Sequence, residues 1–255
     1  MPVITAKQHI RKVSIFMTGA AIFFGFVIFL FFFSPFNSVL AYIEKTVFPK
    51  KANYFLKWEI SDAEARELAK WDLLILDMEI QEKSRRQLEI IRELNPKIII
   101  LAYITPQEIR ADAASSYSTL RRELATAIPE AWYLHNTSGG RITWWPGTYI
   151  LNVSDSALFF NGERWNNYLA RFAAQRVLAT GLWDGMFYDN AFDSITHFVG
   201  ANVADADWQA GMKRIYNETR RITDSRYILV GNGTTRVYRD ELNGNMLENF
   251  IPSAW

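Results

Sequence analysis

The 255-residue sequence has no cysteine, only three histidines, and a net charge of +1 from 28 Lys and Arg against 27 Asp and Glu. Lacking thiols, it can form neither a disulfide framework nor a thiolate zinc site, and it has no cysteine nucleophile. His9 lies ahead of a long apolar run, apart from His135 and His197, so a three-histidine zinc centre is excluded from the body of the chain. A charge balance this close to neutral leaves no electrostatic footprint for nucleic acid. No GxSxG elbow and no phosphate-binding GxxxxGK loop occurs. The chain is rich in aromatics: they make up 15% of the residues, nine of them Trp, which excludes a disordered chain and fits a folded, enzyme-sized body.

One segment does not belong to that body. Val13 to Phe33 carries no charge, and at 1.5 Å per residue it is about 31 Å long, the thickness of a hydrocarbon core. Lys7, Arg11 and Lys12 precede it, and the positive-inside tendency then puts the N-terminus in the cytoplasm and everything after Phe33 outside. The expected organisation is a cytoplasmic tail (1–12), a transmembrane anchor in the lipid bilayer (13–33), a stalk (34–52) and a folded domain (53–255). The alternative is a secreted protein, cleaved as a signal peptide near Val39-Leu40-Ala41. The apolar stretch is long for that reading, since secretory cores run about 7–15 residues.

Beyond residue 52 a unit recurs in which a short apolar run ends in a polar residue and a helical pattern follows. The expected strands are Tyr54–Trp58, Leu73–Asp77, Ile98–Ile104, Gly185–Asn190, Tyr227–Asn232 and Asn245–Asn249. Ser61 and Glu64 form a capping box opening one helix; Leu88, Ile91 and Leu94 mark a second, which Asn95-Pro96 stops. Trp165, Tyr168, Leu169 and Phe172 stripe a third, ending near Gly181, and Trp208, Met212, Ile215, Thr219 and Ile222 a fourth. Apolar runs alternating with helices mean parallel strands with crossover helices. An open nucleotide-binding sheet would carry a glycine-rich first turn, and Gly231-Asn-Gly233 lacks the third glycine and comes late. The expected fold is therefore α/β, a (β/α)8 barrel of the TIM type. Eight strands are needed and six are visible, so the barrel is expected to be C-terminally truncated after the sixth. A long excursion from Ala111 to Ser156, with Trp132, Trp144, Trp145 and a strand-like run at Tyr149–Val153, is expected on the substrate face.

In such barrels the chemistry sits at the C-terminal strand ends. Asp189 and Glu248 end the fourth and sixth expected strands, and two carboxylates across a cleft are the minimal equipment for breaking a glycosidic bond. One must donate a proton to the leaving oxygen while the other attacks or activates water; either acid can take either role. Asp77, Tyr103, Asn152, Asn190 and Asn232, also at strand ends, are candidate sugar-binding residues. Trp144 and Trp145 offer flat apolar faces suited to a pyranose ring. No cofactor or metal is expected: Asp189, Asn190, Asp193, Asp205 and Asp207 cluster, but without calcium-loop spacing. Asp184 starts its strand on the stability face and is read as structural.

The ordered motifs LLILD, NPKIIILAYI, YILNVSD, GLWDGMFYDN, ADADWQAGM, ILVGNG and LNGNMLENF resemble hypothetical glycosyl hydrolase family fifteen, related to the endo-α-1,4-polygalactosaminidase group. The resemblance runs from about Tyr54 to Phe250. It implies a TIM-barrel hydrolase acting on a polysaccharide, with Asp189 from GMFYDN and Glu248 from NMLENF as the acids. The expected function is that of a membrane-anchored glycoside hydrolase. The alternatives are a carbohydrate-binding protein on the same fold without turnover, and an envelope assembly component.

Overall fold

The structure, a computed structural model, describes residues 49–233 and 235–248. The expected transmembrane run lies outside them; among the described residues no helix is long and apolar enough to cross a membrane. The chain runs through β1 (Ala52–Phe55), α1 (Asp62–Leu68), β2 (Leu73–Asp77), α2 (Ile80–Lys83), α3 (Arg85–Leu94) and β3 (Ile99–Ile104). An excursion follows with β4 (Glu108–Arg110), α4 (Thr119–Thr126) and β5 (Thr148–Ile150). Then come α5 (Trp165–Phe172), β6 (Gly185–Tyr188), α6 (Asp205–Ile222), β7 (Ile228–Asn232) and β8 (Gly244–Met246).

Six strands form one sheet in the order β1-β2-β3-β6-β7-β8, every pair parallel. Omitting the excursion, each strand lies beside its predecessor, and the order never reverses. That single winding belongs to a (β/α) barrel; a doubly wound sheet would have a switch point. A closed barrel has eight strands, and the sheet of described residues has six. Just ahead of β1, Lys51 exchanges backbone and side-chain hydrogen bonds with Asp72.

The alternation of strand side chains splits the sheet into two apolar layers. Leu74, Leu76, Ile100, Ala102, Ile104, Met186, Tyr188 and Leu229 pack into the main core with the helices. The intervening positions Ile75, Leu101 and Phe187 form a second, smaller cluster with Leu73, Ile99, Tyr103, Val230 and Met246 on the opposite face. Both faces of the central strands are thus buried, which explains why LLILD and IILAYI read as continuous apolar runs.

Local rules account for the helices. Ser61 and Glu64 form the reciprocal capping box at α1. Helix α5 continues through one π turn and one 3₁₀ turn to Gly181, whose φ of 72° supplies the left-handed cap. Two glycines are demanded by space: a Cβ on Gly185 would lie 1.8 Å from the Ile228 carbonyl oxygen, and one on Gly211 in α6 the same distance from that of Val153. Asp184 accepts from Arg92 (2.9 Å) and the Ile100 amide (2.7 Å), clamping the N-terminal end of β6.

The excursion departs from expectation. Its strand is Thr148–Ile150, shorter than Tyr149–Val153, and pairs antiparallel with Glu108–Arg110 in a separate two-stranded sheet.

Candidate functional site

Parallel pairing aligns the strand ends, so Asp77 and Tyr103 are register partners at the C-terminal ends of β2 and β3. Asp189 follows β6 directly, and Asn232 is the last residue of β7. Glu248 lies two residues beyond β8. The same rim therefore carries all five.

Three donors converge on Asp189. Tyr103 donates its hydroxyl to Oδ2 at 2.6 Å, Asn232 Nδ2 donates to Oδ1 at 2.7 Å, and the Asn190 amide donates to Oδ1 at 2.8 Å. Asn190 adopts φ 52°, a left-handed conformation that turns the chain sharply just past Asp189. The second hydrogen of Asn232 Nδ2 reaches Glu248 Oε2 at 3.1 Å. One carboxamide thus bridges the two acids. The Tyr103 hydroxyl stays protonated as a donor, because burial and then the Asp189 charge push it well above its ordinary range. Tyr54 packs edge-on against Tyr103 and Phe187, and its hydroxyl is pushed up by burial and by Asp189.

Beside the pair opens a cavity of about 420 Å³, lined by Trp144, Trp145, Asn190, Phe192, Asn232 and Glu248 among others. Trp144 is half-buried against Phe192, His197 and Phe198, whereas Trp145 is 58% exposed. The structure therefore brings together Asp189, Glu248, Tyr103, Asn190, Asn232, Trp144 and Trp145. Asn152 does not join them: it does not line the cavity, and its side-chain oxygen accepts from the Ser154 amide (3.1 Å) and hydroxyl (2.6 Å), closing a local turn. Asp77 is buried beside Glu79, whose carboxylate takes a 2.6 Å bond from Arg121.

One acid escaped the reading of the sequence. Glu108, half-buried on β4, has its carboxyl pushed up chiefly by burial, with the Asp189 charge adding to the shift and a Thr148 hydrogen bond opposing it. A three-residue strand with a single apolar position gives no periodicity that could have pointed to it. Among the described residues no group of three or more acidic or histidine side chains converges as cation ligands. Asp193 instead accepts from the Thr235 hydroxyl at 2.5 Å, and Asp205 from the Ile195 amide at 2.7 Å.

The model of hypothetical glycosyl hydrolase family 15 matches residues 92–254, more than half of the chain. No curated protein sequence matches. Among solved structures, a Paenibacillus sp. cycloisomaltooligosaccharide glucanotransferase complexed with cycloisomaltoheptaose is similar at TM-score 0.49 and 11% identity over 72% of this chain and 30% of its own. The α-N-acetylgalactosaminidase of Bifidobacterium bifidum, in complex with GalNAc, gives TM-score 0.47 and 9% identity over 72% and 31%. The chitinase domain of a Clostridium difficile spore coat protein gives 0.38 and 14% over 77% and 46%. The chain spans about a third of the length of the first two and under half of the third.

Asp77 provides a test of the rim's electrostatics. Burial, reinforced by the Glu79 charge and opposed by Arg121, pushes its carboxyl up to about 7. The folded chain then holds a proton that the unfolded chain releases near pH 4, so stability is greatest at the acid end and falls as pH rises toward 7. The slope is at most about 1.4 kcal/mol per pH unit. Urea unfolding of wild type and Asp77→Asn between pH 4 and 8 is expected to show the variant gaining on the wild type with rising pH, then running parallel above 7. Parallel profiles throughout would contradict the assignment.

Proposed function

The chain belongs to hypothetical glycosyl hydrolase family 15, and we propose that it hydrolyses glycosidic bonds of a polysaccharide with Asp189 and Glu248 as its paired carboxylates. The observation that carries this reading is the Asn232 carboxamide, which donates to both acids at once. Each bonded oxygen lies within a hydrogen-bond length of the same nitrogen, so the two acids flank one point on the rim.

The hydrogen-bond inventory distributes the roles. Asp189 accepts from three donors that fix its plane, which suits the nucleophile. Glu248 is solvent-exposed and accepts from Asn232 through one oxygen, leaving the other for the leaving group. Glu248 would protonate the departing oxygen while Asp189 attacks the anomeric carbon. Glu248 would then draw a proton from the water that releases the sugar. Trp144 and Trp145 would hold sugar rings against the cavity wall.

Residues 13–33 are proposed to anchor the protein in the bilayer with the catalytic domain outside the cytoplasm. The support is the uncharged run itself and the basic residues preceding it. The expressed protein should resist alkaline extraction from membranes and keep its N-terminus; recovery of a soluble form beginning near residue 42 would show cleavage instead.

Asp189→Asn and Glu248→Gln are each expected to lower release of reducing ends by about 10²–10⁴-fold. NMR of the first product should show the anomeric configuration of the substrate retained. Wild-type rates in both variants would refute the pair, and an inverted product would refute the nucleophile.

A further inference from the structure

A second aromatic site stands on the same rim, and the proposed mechanism makes no use of it. Trp58 lies three residues past β1 and packs against Tyr117, with ring centroids 5.2 Å apart and planes inclined at 52°. Tyr117 is 59% exposed, and the two border a cavity of about 370 Å³ with Arg110, Asp112, Ser116 and Arg121.

The platform is braced from below. The Arg121 guanidinium lies 5.8 Å from the Trp58 ring, and its Nε is held by Glu79, a carboxylate 1% exposed. Ser118, next to Tyr117, caps α4 through the Arg121 amide (3.0 Å) and donates to Glu82 (2.7 Å), which also takes the Leu120 amide (2.9 Å). Both arginines at the cavity are matched, Arg121 by Glu79 and Arg110 by a two-point contact with Asp112. The site therefore presents flat apolar rings with hydroxyls beside them, the chemistry that takes up the C–H face of a pyranose.

Its position ties it to the acid pair. From β1 to β6 is three strand steps of roughly 4.8 Å, about 14 Å along the rim. Tyr54 bridges that interval: its ring touches Tyr103, which bonds Asp189, and its hydroxyl feels the charges of Asp189, Glu248 and Asp77.

We propose that Trp58 and Tyr117 form a remote sugar-binding subsite, which holds a ring of the same polysaccharide chain whose linkage lies at Asp189 and Glu248. This rests on the reading of the acid pair as a glycan site, and extends it to a polymer spanning the rim.

Affinity electrophoresis of the detergent-solubilised full chain in native gels containing dextran, galactan, chitosan or alginate tests it. At least one gel should retard the wild type, and there Trp58→Ala and Tyr117→Ala should each weaken binding about tenfold. Trp58→Phe should keep most of the retardation. Tyr117→Ala removes an exposed side chain, so it remains informative if Trp58→Ala fails to fold. Unchanged retardation of the alanine variants overturns the subsite, as does absence of retardation in every gel. Loss of binding in the alanine variants without any hydrolysis by the wild type would sustain the subsite and defeat the hydrolase reading alone.

Discussion

Both hydrogens of the Asn232 side-chain amide point at carboxylates, one on Asp189 and one on Glu248. The opposite orientation of the carboxamide would set its oxygen against a carboxyl oxygen on each side, so the neighbours dictate the direction of this group. The arrangement needs three strands in register. β6 delivers Asp189, β7 places Asn232 as its last residue, and β8 brings Glu248 round after Met246. The Asn232 backbone is held as well, its carbonyl accepting the Ala191 amide at 2.8 Å. A slip of one residue in β7 would turn Asn232 to the other face of the sheet and leave the acids without their common donor.

The fold provides that register by being buried on both sides. Helices cover one face of the sheet, and the aromatic and aliphatic side chains of the other face cover themselves, with Phe187 stacked on Tyr103 directly beneath the site. Tyr103 thus has two jobs. Its ring belongs to the inner apolar layer, and its hydroxyl orients Asp189. Packing and chemistry meet in a single side chain, so the geometry of Asp189 inherits the stiffness of the core.

Much of this was legible in the residues themselves. Runs buried on both faces, such as Leu73–Asp77, announce their own ends because the apolar pattern stops at a polar residue. The acids, Asn190 and Asn232 could be read as rim residues for that reason. What escaped depends on partners distant in the chain. Trp58 reads as the end of a strand because it is large and apolar, yet the ladder with β2 stops at Phe55 and Trp58 turns to meet Tyr117. Asn152 looks like a strand end, but the ribbon of β4 and β5 ends before it, and its side chain closes a turn. Glu108 gave no signal, since it lies on a three-residue strand whose partner Ile150 is some forty residues further along the chain.

Whether Asp189 and Glu248 act as one unit is decided by a double-mutant cycle on the rate of polysaccharide cleavage. Groups that serve a single step lose their effect together, so Asp189→Asn combined with Glu248→Gln should be about as slow as the slower single variant. Losses that multiply in the double variant would mean two independent contributions, and the shared amide would then have no part in the chemistry.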